Sequence, residues 1–185
     1  MSGRHSRQAH QSGFTLLEAL IAFIILTIGL LGTVALQAKA KQASFDSMQR
    51  SAALALGADI MQRIRVNDTQ TIAALYAMTF NSADPLQTID CNNQVCGPAE
   101  LANYDRNQWL AAIKARDNSG SLDDATVCIN TTETDGAVTD RVEVEIIIAW
   151  RGRQALNGGD NSVACGNYGN NRRLVRLTST IHMRA

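Results

Sequence analysis

Hydrophobic residues are spread very unevenly along the chain, and their spacing predicts one long helix followed by a smaller mixed domain. Residues 19–36 carry no charge, and a stretch of about 20 apolar residues is what a bilayer crossing requires. Residues 37–65 lack proline, and their apolar side chains return every four positions, as on one face of a helix. That face consists of Met48, Ala52, Leu56, Ile60 and Ile64, with Ala53 and Met61 beside it. Gln49 and the charged residues nearby are predicted to lie off it. As one helix, residues 14–65 would be about 78 Å long.

After residue 65 the hydrophobic pattern predicts shorter elements of different kinds. Residues 71–80 have helical spacing over a short distance, which indicates a short helix or an irregular segment, and residues 81–98 are typical of a loop. Residues 98–115 predict a second helix, because a proline opens it and Glu100 lies in its first turn. The apolar side of this helix would be formed by Leu101, Tyr104, Trp109, Ala112 and Ile113.

Alternating patterns in the last third of the chain predict an antiparallel sheet. Three strands are expected, at residues 125–131, 141–150 and 172–183, with a hairpin turn at Asp135-Gly136. In the middle strand Glu143 and Glu145 share the face opposite the apolar one. Arginines of the last strand, Arg172, Arg173 and Arg176, are expected to form a solvated face and to pair with these acids across the ladder. This interpretation is favoured over a DNA-binding patch.

Composition narrows the class of protein. The chain has 185 residues, 45% of them hydrophobic, which suits one domain with an anchor. Its formal net charge is zero, and the basic residues Arg4 and Arg7 lie before the apolar stretch. A nearly neutral protein is not expected to bind nucleic acid or anionic surfaces in general.

The four cysteines all follow the apolar stretch, which fits two disulfides in an oxidising compartment. Four cysteines allow three connectivities. Proximity in sequence favours Cys91–Cys96, which leaves Cys128–Cys165 as the second pair.

No metal, cofactor or catalytic set is expected. A zinc site at Cys91 and Cys96 would need two more ligands, and His182 is the only histidine beyond the N-terminal 13 residues. The loop at residues 157–161 is rich in Asn, Asp and Gly but lacks the ordered ligand spacing of a calcium loop. One histidine within a strand also leaves little for Ser-His-Asp chemistry, so the chain is predicted not to be an enzyme.

The segment that begins with Gly13 and ends with Glu18 is the main functional signal. Glu18 is an acid near the start of an apolar run, and such a carboxylate is costly inside a bilayer. A cut after Gly13 would place the new amino group of Phe14 about one helical turn from Glu18. Amine and carboxylate could then neutralise each other within one chain or between neighbouring chains. The alternatives are an ordinary secretory signal, which would be shorter and end in a small-x-small site, or a plain anchor.

At Gly13, Phe14 and Glu18, with the basic residues before them, the chain resembles the class III signal of type IV pilins and pseudopilins. The resemblance implies cleavage after Gly13 by a prepilin peptidase, N-methylation of Phe14, and docking of the subunit into a filament through Glu18. It also implies a pilin fold of the α+β class. This fold is a long N-terminal helix, its first half transmembrane, on an antiparallel sheet of three to four strands with an extra helix. The expected divisions are a leader at 1–13, the helix at 14–66 (14–36 in membrane or filament core) and a periplasmic head at 67–185.

A narrower resemblance runs from Cys91 to Trp109, where the chain is similar to PilV-type minor pilins, the type IV pilus modification proteins. Asp105 and Trp109 are expected to be a helix-surface acid and a core anchor. The resemblance implies a minor pilin that waits in the inner membrane, primes pilus assembly at the tip, and serves twitching motility and adhesion. Implied partners are other minor pilins, the major pilin and a large tip adhesin. A type II secretion pseudopilin and a membrane-anchored periplasmic binding module remain as alternatives.

Overall fold

The fold is seen in a computed structural model that describes residues 13–133, 140–156 and 162–184. The chain divides into two units, Met1–Ser44 and Phe45–Ala185. The described part of the first unit is a short segment without regular secondary structure and a helix, and the second unit holds the sheet and the hydrophobic core. The Asp135-Gly136 turn and the loop at residues 157–161 lie outside the described residues.

Three α-helices are present in the described ranges. Helix α1 is Leu16–Val66, α2 is Ile72–Tyr76 and α3 is Pro98–Asn118. The long helix and its end near Asn67 are as predicted, because no proline interrupts the sequence before that point. Helix α3 also begins at the predicted proline, and the carboxylate of Glu100 accepts a hydrogen bond from the backbone N–H of Gly97 at 2.9 Å.

The sheet has four antiparallel strands in the order β1-β2-β3-β4. Their bounds are β1 (Met78–Asn81), β2 (Asp123–Glu133), β3 (Arg141–Arg151) and β4 (Arg172–His182). Strand β1 is the one that the sequence pattern did not resolve, because it has only four residues and directly follows α2. The expected α+β architecture, with a long apolar N-terminal helix and an extra helix, is confirmed.

The core of the second unit lies between the helices and one face of the sheet. The later part of α1 contributes its buried apolar residues to one cluster with the alternating residues of β3. From α1 these are Ala53, Leu56, Ile60, Met61 and Ile64, and from β3 they are Val142, Val144, Ile146, Ile148 and Trp150. The predicted stripe is therefore right along most of its length.

One end of that stripe is wrong. Met48 is exposed, whereas Gln49, predicted to lie off the stripe, is only 1% exposed. The side chain of Gln49 accepts a hydrogen bond from the indole of Trp150 (3.3 Å) and donates one to the carbonyl of Gly120 (3.3 Å). Because both ends of the amide have a partner, the polar group can be buried without a large desolvation cost.

Gly57 allows α1 to approach the sheet closely. A Cβ atom built on Gly57 would lie 2.6 Å from Cδ1 of Leu177 and 3.4 Å from Cδ1 of Ile148. A larger residue at this position must therefore displace the side chain of Leu177 on β4, and its Cβ atom would be in van der Waals contact with Ile148 on β3.

We expect Gly57→Leu to destabilise the second unit by about 1–3 kcal/mol, as overpacking of a filled core does. The measurement is denaturant unfolding of the detergent-solubilised chain, followed by fluorescence of the buried Trp109 and Trp150. Ala58→Leu, one position along at an exposed site, is the matched control and should change stability by no more than about 0.5 kcal/mol. Equal effects of the two variants would contradict a close approach at Gly57.

Candidate functional site

The segment with the predicted processing signal lies at the start of α1. Gly13, Phe14 and Thr15 precede the first helical residue, and Phe14 is 86% exposed. A side chain built on Gly13 would meet no atom within 4 Å. The peptide bond between Gly13 and Phe14 thus lies outside the helix and is accessible among the described residues.

Thr15 fixes where the helix begins. Its hydroxyl oxygen accepts a hydrogen bond from the backbone N–H of Glu18 at 3.3 Å, so Thr15 satisfies one of the unpaired donors of the first turn. This role was not predicted, although a threonine followed three residues later by glutamate is a known signal for a helix start. The exposed side chain of Glu18 lies in the first turn, where a negative charge suits the helix dipole.

The apolar stretch that follows is suited to surroundings without water. By length and composition α1 can cross a membrane, and none of its most apolar window is buried by the residues that the structure describes. The two hydroxyl groups of residues 19–36 are satisfied locally. Thr27 donates to the carbonyl of Ile24 and Thr33 to that of Leu30, both at 2.8 Å. A Cβ atom built on Gly29 or Gly32 would meet no described atom within 4 Å, so both positions are open to close contacts with another helix.

Comparison with known families gives two adjoining matches. Residues 8–34 match the prokaryotic N-terminal methylation motif, and residues 35–107 match the family described as type IV pilin Tt1218. Residues 8–107 are therefore similar to type IV pilins, with a stretch like the methylation motif followed directly by a stretch like a pilin domain. No curated protein and no solved structure has a significant match.

The pilin match extends well beyond the apolar helix. It covers the later part of α1, all of α2 and β1, and the first half of α3. The match is to a type IV pilin in general, so the narrower PilV-type resemblance stays a proposal.

Asp105, predicted to be a surface acid, is instead 3% exposed. Its carboxylate accepts hydrogen bonds from Arg63 on α1 (3.1 Å) and from the hydroxyl of Tyr76 on α2 (3.0 Å). The prediction was wrong because helical spacing alone does not reveal that two donors from other helices converge on this position. The expected role of Trp109 as a core anchor is confirmed, since it is 1% exposed and stacks on Phe80.

Further bonds extend this arrangement into one polar cluster, made of Asp59, Arg63, Asn67, Tyr76 and Asp105. Asp59 accepts from Arg63 (3.2 Å) and from the indole N–H of Trp109 (3.1 Å). Asn67 donates to the hydroxyl of Tyr76 (3.0 Å) and to the carbonyl of Pro98 (2.9 Å). The cluster therefore ties α3 and α2 to α1 through directional bonds in addition to apolar packing.

The charge states in the cluster are held by their surroundings. Burial raises the pKa of Tyr76 well above its ordinary value, and the carboxylate of Asp105 acts in the same direction against the bond from Asn67. Burial by itself would lower the pKa of Arg63, but the carboxylates of Asp105 and Asp59 outweigh it and raise that pKa. Tyr76 thus keeps its proton and Arg63 its charge, as their donor roles require.

Both disulfides join the pairs favoured by sequence proximity, Cys91–Cys96 and Cys128–Cys165. The loop closed by Cys91–Cys96 is held against α3, because the hydroxyl of Tyr104 donates to the side chain of Asn92 at 3.1 Å. Asn107 of α3 bonds both backbone groups of Gln87 in the preceding segment. The connection between β1 and α3 is therefore fixed to the helix at several points.

The second disulfide attaches the segment before β4 to the outer face of the sheet, which is the face away from α1. Cys128, Cys165, Ile147 and Ala149 form a small buried cluster there. Arg172 lies beneath this segment and donates to the carbonyls of Val163 and Cys165. The prediction of a solvated arginine is thus wrong for Arg172, which is buried because loop carbonyls surround its guanidinium group.

The predicted pairing of acids and bases across the sheet is confirmed by an ion pair between Arg176 and Glu145. Within residues 13–133, 140–156 and 162–184, no three His, Cys, Asp or Glu side chains are grouped as metal ligands would be.

We expect Asp105→Asn to lower the free energy of unfolding of the second unit by about 1.5–3 kcal/mol. The amide carries no charge to pair with Arg63. Its NH2 group would also face a hydrogen-bond donor, either Arg63 or the hydroxyl of Tyr76. Denaturant unfolding followed by tryptophan fluorescence gives the measurement. Asp123→Asn, at an exposed position, is the control. A cluster that contributed nothing would give both variants the same midpoint.

Proposed function

We propose that the chain is a minor pilin of a type IV pilus that primes or promotes pilus assembly as part of a tip-associated complex. Type IV pilins are structural, non-enzymatic subunits, and the chain has a pilin domain directly after a methylation motif. The observation that carries the proposal is the pair of adjoining matches, over residues 8–34 and 35–107. The resemblance from Cys91 to Trp109 supports the minor-pilin assignment, since it runs through the stapled loop and the helix to which that loop is bound.

In this proposal Gly13 is the last residue of the leader and Phe14 becomes the N-methylated terminus after cleavage by a prepilin peptidase. The exposed segment before α1 supports this step, because a peptidase needs access to the bond between the two residues. Before assembly the protein is held in the inner membrane by α1, with its head in the periplasm. After assembly it lies in the pilus, at or near the tip.

The partners in this proposal are other minor pilins, the major pilin and a large tip adhesin. Twitching motility and adhesion are the processes served. The two disulfides support a periplasmic location for the head, because such bonds persist in oxidising compartments.

The proposal is tested first at the amino terminus. Mass spectrometry of the chain purified from membranes should show a species that begins with methylated Phe14. An uncut chain, or one that begins at another residue, would contradict the filament assignment. Deletion of the gene then distinguishes a pilus subunit from a secretion pseudopilin. We expect loss of surface pili with protein secretion intact. Loss of secretion with pili intact would favour a pseudopilin.

For Glu18→Ala we expect normal membrane insertion and cleavage but loss of most of the chain from sheared pili. The reason is that the carboxylate would no longer neutralise a terminal amine in the apolar filament core. Immunoblots of sheared pili and membranes measure the distribution.

The matched control for that experiment is Thr15→Ala, which removes the cap of the first turn but leaves the carboxylate of Glu18 in place. Incorporation of this variant should stay near the wild-type level. If both variants were lost from pili to the same extent, the helix start, and not the charge of Glu18, would be the requirement.

A further inference from the structure

Strand β4 forms one edge of the sheet, and it is unusually unprotected for an edge. It pairs with β3 over 11 residues without a register shift, and it contains neither proline nor glycine. Exposed edges in native proteins are usually shortened, bulged or interrupted by proline, because unpaired strand backbone is a template for another strand. The opposite edge, β1, follows this rule with only four residues.

The backbone groups that point away from β3 can be assigned from the ends of the ladder. Gly152 N donates to Asn171 O, and Met183 N donates to Asp140 O, both at 2.7 Å. In an antiparallel pair, residues alternate between those that bond the partner strand and those whose N–H and C=O face the other way. Odd-numbered residues of β4 therefore bond β3. The outward-facing ones are the even-numbered residues; beyond Arg172, whose N–H donates to the carbonyl of Gly169, they are Leu174, Arg176, Thr178, Thr180 and His182.

None of these five residues has an outward backbone hydrogen bond to any other described residue. Four of them are exposed: Arg176, Thr178, Thr180 and His182. Among the residues that the structure describes, a row of unpaired donors and acceptors thus faces solvent along most of the strand.

Basic side chains predominate along this edge. Strand β4 has no acidic residue; of its four basic side chains, Arg172 is buried beneath the preceding segment and His182 lies 4.0 Å from the carboxylate of Asp140. Arg173 donates to the carbonyl of Gln154, and Arg65 of α1 donates to the hydroxyl of Ser179, so both guanidinium groups bond neutral oxygen atoms. Of the nearby arginines, Arg176 and Arg184 form ion pairs, with Glu145 and Asp68.

We propose that the outward edge of β4 binds an extended acidic segment of a partner protein, which adds to the sheet as a fifth strand. Main-chain hydrogen bonds to the outward residues would supply the affinity, and carboxylates on the added strand would meet the positive charge along the edge. A second copy of this chain fits less well, because its own β4 would bring a strand with the same charge.

The test uses the full chain in nonionic detergent and two labelled 11-residue peptides, one alternating threonine with glutamate and the other threonine with lysine. Fluorescence anisotropy should show saturable binding of the acidic peptide, and at least tenfold weaker binding of the basic one. No binding of the acidic peptide, or equal binding of the two, would overturn the proposal.

Thr178→Pro removes one outward N–H and leaves the bonds to β3 in place, because proline is tolerated at the free side of an edge strand. We expect it to weaken binding of the acidic peptide at least tenfold. Thr178→Val keeps the N–H and removes the same hydroxyl, so it should bind within about twofold of the wild type. Equal losses in the two variants would show that the side chain, and not the backbone, makes the contact.

Hydrogen exchange gives a readout that needs no variant. In the free protein the amides of Thr178 and Thr180 should exchange faster than that of Ser179, which is bonded to β3. Addition of the acidic peptide should slow exchange at Thr178 and Thr180. Protection confined to other parts of the chain would overturn the proposal. So would self-association that protects these amides without peptide, which would assign the edge to a second copy.

Discussion

The carboxylate of Asp105 is the point on which the arrangement of the three helices depends. It is buried, and a buried carboxylate is stable only when donors surround it. Here the donors come from α1 and α2, whereas the acid itself belongs to α3, so the three helices are held in one arrangement. Apolar packing around Trp109 supplies most of the burial, but it is not directional. The hydrogen bonds specify which residues of the helices face each other.

The long-range architecture could be predicted because it follows from simple periodicities. An uninterrupted helical pattern indicated α1, and strict alternation indicated β3 with its inner and outer faces. Errors occurred where one polar side chain had partners far away in sequence. Gln49 is buried because Trp150 and Gly120 bond its amide, and Arg172 because carbonyls of the preceding loop surround it. Such partners are separated by many residues or depend on the path of a loop, so no local pattern reveals them.

At the candidate site the sequence indicated the motif residues but not the conformation of the chain around them. Gly13, Phe14 and Glu18 could be singled out from the sequence because their resemblance to a class III signal is a short linear pattern. The structure adds the state of the chain around them, which is exposed and not helical at Phe14 and helical from Leu16. The role of Thr15 was readable from the sequence but was not predicted, because the acid in an apolar run is the stronger signal and the helix cap beside it is an ordinary one.

The bond between Thr15 and the N–H of Glu18 makes the cap of α1 independent of the proposed cut after Gly13. Both atoms lie after Gly13, so a cut at that residue leaves the bond untouched and the first turn of α1 with the same cap. The cap of the first turn thus uses only atoms that follow Gly13. Cleavage would change only the electrostatics there, by placing a positive amine two residues before Leu16. If the chain is cut after Gly13 as proposed, the first turn of α1 is already formed, and the cut adds only the positive charge of the Phe14 amine.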